Sequence, residues 1–354
     1  MEARRTTLVV LFGGQSAEHD VSCVSAAHVI DAADPAEFDV VAVGIARDGS
    51  WHRSPSHTFR GTAQRGPVGT LAVSGPVVEP TSVLSSEEGT VVVVPLLHGP
   101  LGEDGTVQGL LELLDVAYVG AGVLSSALAM DKAVAKQVLA QAGIPQARHT
   151  VLHADECTEP AVGAAFAGLG GDVFVKPANM GSSVGVSHAV TIDETIAAVT
   201  LAGKYDNWIV IEETVHGREI EVSVIGNRDP RASLPGEITP AKDFYDYADK
   251  YEDGAATLTI PAALDEERTS EIREIAVRAY RALRCEGMAR VDFFLEENGR
   301  GFLVNEINTI PGFTPISMYP KMWEASGLPY RDLVSELVRL AQERHSTRKR
   351  NTAR

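Results

Sequence analysis

Apolar and polar residues alternate over residues 290–308, where Val291, Phe293 and Leu295 fall on one face of a strand and Arg290, Asp292 and Phe294 on the other. The pattern resumes after Asn298-Gly299, a dipeptide suited to a tight turn, so the stretch predicts a β-hairpin. Its register follows from parity. Keeping Leu303 and Ile307 on the apolar face requires a loop of odd length, and a three-residue Glu297-Asn298-Gly299 loop with a left-handed glycine meets that need. A two-residue turn would instead set Leu303 opposite Phe294. The bulged loop is therefore expected, and it gathers Arg290, Asp292, Glu306 and Asn308 on one polar face.

Elsewhere the apolar runs are continuous. Residues 6–12 stop at Gly13-Gly14 and precede a helix with Val21, Val24, His28 and Val29 at helical spacing. Residues 38–46 and 91–97 are further Val-rich strands, the pattern of a parallel sheet buried on both faces. They make an α/β unit ending near Ala129. Strands are expected over 173–177 and 208–213. Helices are expected over 132–142, stopped by Gly143 and Pro145, over 265–285, and over 330–342. In the second of these Ile272, Ile275, Ala276, Ala279 and Leu283 share a face that packs behind the hairpin. Residues 237–256 are aromatic and charged without clean periodicity, which suits a binding loop or lid. The basic stretch 344–354 reads as a frayed, solvated end.

Composition narrows the class of function. At 354 residues the chain has room for two or three domains, and its net charge of -17 opposes non-specific binding to nucleic acid or an anionic membrane. Any phosphate must be met by local lysines. Cys23, Cys157 and Cys285 are widely spaced and in no metal-ligand pattern, as expected of reduced cytosolic thiols. The apolar run at 8–12 is too short for a signal segment, and no stretch approaches a membrane span.

Candidate chemistry clusters at strand ends. Asp292, Glu306 and Asn308 form a hard-oxygen set of the type that holds Mg²⁺ between protein and phosphates, the plain alternative being a solvated acidic face with an Arg-carboxylate pair. The turn-rich exit 309–315 includes Gly312, whose backbone N–H a ligand can approach closely. After the strand at Val91, residues 98–105 carry the His98 imidazole and two carboxylates at the carboxyl end of a sheet, where ligands sit in open α/β folds. Lys176 lies on a strand before the small-residue loop 178–185, whose N–H groups and hydroxyls suit phosphate oxygens. Glu212 and Glu213 end another strand, placed to meet an adenine amine and a ribose, although a solvated surface is the plainer reading of these two acids taken alone. Lys250-Tyr251 gives the expected lid a cation and a phenol. Gly13-Gly14-Gln15-Ser16 lacks the dinucleotide fingerprint, which disfavours a dehydrogenase.

These motifs occur in an order that resembles the D-alanine:D-alanine ligases of the ATP-grasp superfamily. The likeness rests on GGQSAEHDVS at 13–22, HGPLGEDGTVQG at 98–109, MDK at 130–132, VKPANMGSSVGVS at 175–187, FYDYADKY at 244–251, and RVDFF with NEINTIPGFT at 290–314. It implies a three-domain α/β (α+β) ATP-grasp fold: a Rossmann-like parallel-sheet domain at 1–129 and two ATP-clasping units at 130–227 and 228–343, the latter carrying the lid 237–256. It implies two Mg²⁺ ions, replaceable by Mn²⁺, on Asp292, Glu306 and Asn308. ATP would meet Lys132, Lys176, Ser182, Ser183, Glu212, Glu213, Val215, Glu219, Phe244, Lys250, Phe294 and Asn305. The amino-acid sites would use Glu18, Val21, His98, Arg290, Gly312, Ser317 and Met318. Glu18, Ser182 and Tyr251 would form a triad closing over the second amino acid, with Arg290 and the Gly312 N–H as an oxyanion clamp and Lys250 on the γ-phosphate. Glu213 stands where relatives often have Lys, and Asn305 where an apolar residue is common. The implied reaction joins two D-alanines through an acyl phosphate, releasing ADP and phosphate, in a cytoplasmic homodimer that supplies peptidoglycan precursors. A D-alanine:D-lactate ligase and a silent nucleotide sensor are the competing readings.

Overall fold

The computed structural model describes residues 5–55, 69–84, 90–239 and 257–348. Phe244, Lys250 and Tyr251 lie outside the described residues, as does all but the start of the expected lid. Strands β1 (Thr6–Gly13), β2 (Phe38–Ile45), β3 (Trp51–Ser54), β4 (Val91–Pro95) and β5 (Ala117–Tyr118) form a sheet in the order β3-β2-β1-β4-β5. It is parallel except at the β3 edge. Helices α1 (His19–Ala32), α2 (Pro80–Leu84) and α3 (Thr106–Leu113) intervene, and α4 (Val123–Met130) and α5 (Lys132–Gln141) lead out. Alternate residues of β1 feed two cores: Leu8, Val10 and Phe12 pack with Ala26 and Ile30 of α1, while Val9 and Leu11 pack with Val107 and Leu111 of α3. A strand covered on both faces needs an unbroken apolar run. The face of α1 is wider than expected. Cys23, Ala26, Ala27 and Ile30 join Val21 and Val29 in burial, and Val24 and His28 are only half-buried.

A second, antiparallel sheet runs β6-β9-β7-β8, from β6 (His149–His153), β7 (Val173–Pro177), β8 (Ser187–Ala189) and β9 (Trp208–Glu213). Helices α6 (Glu159–Gly168) and α7 (Ile192–Ala202) cover it, with Val162, Ala165, Ala198 and Val199 packed on Val175 and Ile211.

The third sheet has six strands: β10 (Arg218–Ile225), β11 (Arg231–Ala232), β12 (Gly236–Thr239), β13 (Thr257–Thr259), β14 (Met288–Glu296) and β15 (Gly301–Asn308). Its path is β13-β12-β10-β14-β15, with β11 on β10. Helix α8 (Glu266–Ala282), capped by the Asp265 side chain, presents Ile272, Ile275, Ala276 and Ala279 to the core as the sequence predicts, and packs behind β10, β11 and the first hairpin strand β14 rather than behind the hairpin alone. Two expectations shift. Strand β10 belongs to this sheet, so a division at 227 separates it from its partners, and Glu237 to Thr239 are strand rather than loop.

The hairpin reaches its expected face by a different device. Its loop is four residues long, 297–300, with Gly301 rather than Gly299 in the left-handed region (φ 76°), and Leu303 does sit opposite Phe294. Parity is restored inside β15. Val304 pairs with Phe293 but Glu306 with Asp292, leaving Asn305 as the extra residue of a bulge. Phe302, Val304 and Ile307 thereby join Val291, Phe293 and Leu295 in the core, and Asp292 faces Glu306 while Arg290 faces Asn308.

The C-terminal helices α9 (Met318–Ala325) and α10 (Tyr330–Thr347) return to the first sheet, where Trp323, Leu333 and Leu337 share the core of β1 and α1. Helix α10 continues past the expected end. Arg344 is buried, donates to the Tyr118 carbonyl at 2.8 Å and to the Gly120 carbonyl, and stacks over the Tyr118 ring at 4.2 Å. The start of the tail is thus a joint rather than a solvated end. Among the described residues, no helix is long and apolar enough to cross a membrane.

Candidate active site

The carboxyl ends of β1 and β4 open into a cleft whose far wall is the polar face of β14 and β15. Gly13 and Gly14, both left-handed (φ 86° and 93°), turn the chain there. Ser16 then donates to the His98 carbonyl at 2.7 Å and accepts from the Glu18 N–H at 3.2 Å, tying together the loops that follow β1 and β4. Glu18, Val21 and His98 line the cleft from this side; Gly312, Ser317 and Met318 line it from beyond β15. A Cβ on Gly312 would lie 2.7 Å from the Ser317 hydroxyl, which explains glycine at that approach.

His98 is buried, with Nδ1 3.1 Å from the Ile310 carbonyl and Nε2 without a partner. Burial and then Arg290 lower its pKa, outweighing Glu18 and the bond to Ile310, so the ring is neutral and Nε2 is left as an acceptor. Ser182 donates to the Glu18 carboxylate, the two-residue part of the expected triad that lies within the described chain. Ser182 and Ser183 both adopt left-handed backbone (φ 48° and 60°), a conformation costly for residues with a Cβ and concentrated at binding loops. Gly181 lies so close that a Cβ would be 2.9 Å from Glu18 Oε2.

On the opposite wall Arg290 donates to both Asp292 oxygens at 2.7 Å and lies 3.1 Å from Glu221. Burial opposes its charge, but Asp292 and Glu221 raise its pKa well above the ordinary value. The Asn308 amide nitrogen donates to Asp292 at 2.8 Å, and Lys132 reaches Glu306 at 3.6 Å and the Met180 carbonyl at 2.7 Å. Among the described residues no three His, Cys, Asp or Glu converge on one point. The wall therefore offers an incomplete set of hard oxygens, and such a set fits a Mg²⁺ ion that keeps phosphate and water ligands.

Behind this wall Lys176 of β7 pairs with Glu212 of β9 and donates to Asn305 Oδ1 at 3.3 Å, so the bulge aims Asn305 at this lysine. Glu212 also pairs with Lys136 of α5, and the two lysines outweigh burial to hold its pKa far below the usual carboxylate range. Glu219, across from Phe294, adds to the charge that keeps Lys176 protonated against burial. Val215 is half-buried in the turn after β9. Glu213 departs from expectation. Neighbours on a strand point to opposite faces, and its carboxylate is held by Arg148 at 2.6 Å and Arg300 at 2.5 Å, so it bridges the second sheet to the hairpin loop.

Three residues that the sequence reading left without a role stand here. Lys136 was signalled by its spacing of four from Lys132 on one helix. Glu221 was signalled by its strand alternation with Glu219. Glu103, in the loop after His98, lines the cleft and accepts from the Gly99 N–H at 2.8 Å; burial and then Glu18 raise its pKa to about 8.

The chain matches the family descriptions "D-ala D-ala ligase N-terminus" over residues 7–121 and "D-ala D-ala ligase C-terminus" over 138–339. A D-alanine–D-alanine ligase of Thermoanaerobacter sp. (strain X514) is 46% identical over 353 residues, covering 96% of this chain and 97% of the relative. One from Geobacillus thermodenitrificans (strain NG80-2) is 47% identical over 356 residues, covering 96% of each. Among solved structures, the D-alanine-D-alanine ligase from Coxiella burnetii superposes with a TM-score of 0.82 at 38% identity, over 97% of this chain and 96% of that one. A D-Ala:D-Ser ligase from Enterococcus faecalis gives 0.80 at 32% identity, over 96% and 100%. With both family segments matched in order and nearly full-length identity to curated members, this chain belongs to the D-alanine–D-alanine ligase family.

Proposed function

We infer that this protein joins two D-alanine molecules to D-alanyl-D-alanine at the expense of ATP, releasing ADP and phosphate through a D-alanyl phosphate. The observation that carries the reading is the convergence of Glu18, His98, Arg290 and Gly312 on one cleft with Lys132, Ser182, Glu306 and Asn308. A substrate ammonium finds a counter-charge in Glu18, and the neutral His98 Nε2 can hold an ammonium proton or a carboxylic hydrogen. Arg290 and the Gly312 N–H face the position where negative charge develops on the attacked carbonyl. Lys132 and Lys176 bring positive charge to the nucleotide phosphates. Asp292, Glu306 and Asn308 would hold divalent metal, two Mg²⁺ ions with Mn²⁺ as a substitute, and bound metal would neutralise the transferring phosphoryl group. Little covalent work falls to the protein, so positioning and electrostatics dominate.

The remaining nucleotide contacts, to Ser183, Glu212, Val215, Glu219, Phe294 and Asn305, belong to the same reading, with Glu213 limited to its backbone. Phe244 and the lid residues Lys250 and Tyr251 complete it from outside the described residues. The three-unit division is kept with its second boundary placed before Arg218. The exposed Leu101, Leu113 and Leu124 on and beside the packed helices α3 and α4 suit a homodimer contact. The cytoplasm and peptidoglycan precursor supply are the setting this activity requires. A D-alanine-dependent release of ADP by the purified chain tests the proposal; ATP binding with no such release would favour a silent sensor.

A further inference from the structure

We propose that Lys136 is a positioning residue that neutralises Glu212, leaving Lys176 with an uncommitted positive charge for the phosphates of a nucleoside triphosphate. The inference rests on the reading of Lys176 as a phosphate-side lysine. Three elements bring the group together: α5 supplies Lys136, β7 supplies Lys176 and β9 supplies Glu212. The side chains of Lys136 and Glu212 are 3% and 4% exposed, so neither is balanced by solvent. Lys176, at 13%, is the most exposed member of the group. Each Glu212 oxygen is taken by a different lysine, Oε1 by Lys136 and Oε2 by Lys176.

The charge count gives the consequence. Within this trio two lysines and one carboxylate carry a net charge of +1, and the Glu306 and Glu219 carboxylates that also act on Lys176 are the same with or without Lys136. Without Lys136 the buried pair Lys176–Glu212 is neutral, and a carboxylate with a single cation in a poorly screened environment holds that cation firmly. Lys176 would then be drawn onto Glu212 and away from an anionic ligand. Lys132 cannot replace it, because its ammonium is directed to Met180 and Glu306. If Lys136 served only to fasten α5 to β9, its charge would matter to stability and not to anion affinity.

The test uses the full chain with Lys136→Met, Lys136→Arg and the double variant Lys136→Met/Glu212→Gln. The Kd of a non-hydrolysable ATP analogue is read by calorimetry, beside the KM values for ATP and D-alanine and a melting curve for each protein. Lys136→Met should weaken nucleotide binding about tenfold, the scale of one partly screened charge, and leave the KM for D-alanine within about twofold. Lys136→Arg should retain near wild-type affinity. Adding Glu212→Gln to Lys136→Met restores the charge of the trio and should bind the analogue measurably tighter than Lys136→Met alone, whatever direct contact Glu212 itself contributes. Unchanged nucleotide affinity in Lys136→Met overturns the inference, and so does a double variant that binds as weakly as the single one. Should Lys136→Met fail to fold, Lys136→Gln, which keeps an uncharged donor to Glu212, takes its place in the same comparison. A wild-type protein that bound no nucleotide would overturn the ligase reading itself, an outcome distinct from either.

Discussion

Glu103→Gln should make the protein less sensitive to alkaline pH. Glu103 accepts the Gly99 N–H and lies near Glu18 on the same side of the cleft, and burial followed by the Glu18 charge lifts its pKa from 4.5 to about 8. A carboxyl raised in this way binds its proton more tightly in the folded chain than in the unfolded one. Its favourable contribution is complete below 4.5 and is lost as pH rises through 8. At about 1.36 kcal/mol per pH unit over that interval the ceiling is about 5 kcal/mol. Water in the cleft screens part of it, and about 2 kcal/mol is the expected swing. Glutamine keeps an oxygen for Gly99 but does not titrate. Denaturant unfolding of wild type and variant from pH 5 to pH 9 gives the difference in stability at each pH. The variant should gain on the wild type by about 2 kcal/mol across this range. A difference that stays constant from pH 5 to pH 9 would refute a protonated Glu103.

Asp292→Asn or Glu306→Gln should abolish turnover with the fold intact, because each removes a charged oxygen from the proposed metal-binding face while relieving repulsion; normal activity with an unaltered Mg²⁺ titration would refute that face. Arg344→Ala leaves the Tyr118 and Gly120 carbonyls unpaired in a buried joint and should cost about 2 to 4 kcal/mol in chemical denaturation. A loss below about 0.5 kcal/mol would return Arg344 to the solvated tail. Tyr251→Phe, from the sequence pattern of the lid, should keep dipeptide synthesis and gain D-alanyl-D-lactate formation, most visibly at acidic pH where the competing amine is protonated; equal product ratios for both proteins across pH would remove the phenol from substrate selection.

Elements whose burial is set by local period were legible in the sequence. The Val runs of β1 and β4 declared a sheet covered on both faces, and the apolar stripe of α8 declared its buried face. The polar face of Arg290, Asp292, Glu306 and Asn308 was legible for the same reason. Its route was not, since parity can be corrected in the loop or within a strand, and nothing local to Asn305 marks a bulge. Arg344 illustrates a second limit. Its neighbours are basic and polar, and the carbonyls that bury it lie more than two hundred residues away in the chain. For Glu213 the parity is local: adjacent strand residues face opposite ways, so Glu212 and Glu213 do not both present carboxylates to one nucleotide. Lys136 was visible as a spacing, but its role depends on Glu212 arriving from another sheet.

The most direct test of the central claim is a product analysis with ATP, Mg²⁺ and D-alanine, D-lactate and D-serine supplied together at equal concentration. D-alanyl-D-alanine should be the main product, with one ADP and one phosphate released per peptide bond. AMP and pyrophosphate, or a main product ending in D-lactate or D-serine, would contradict it.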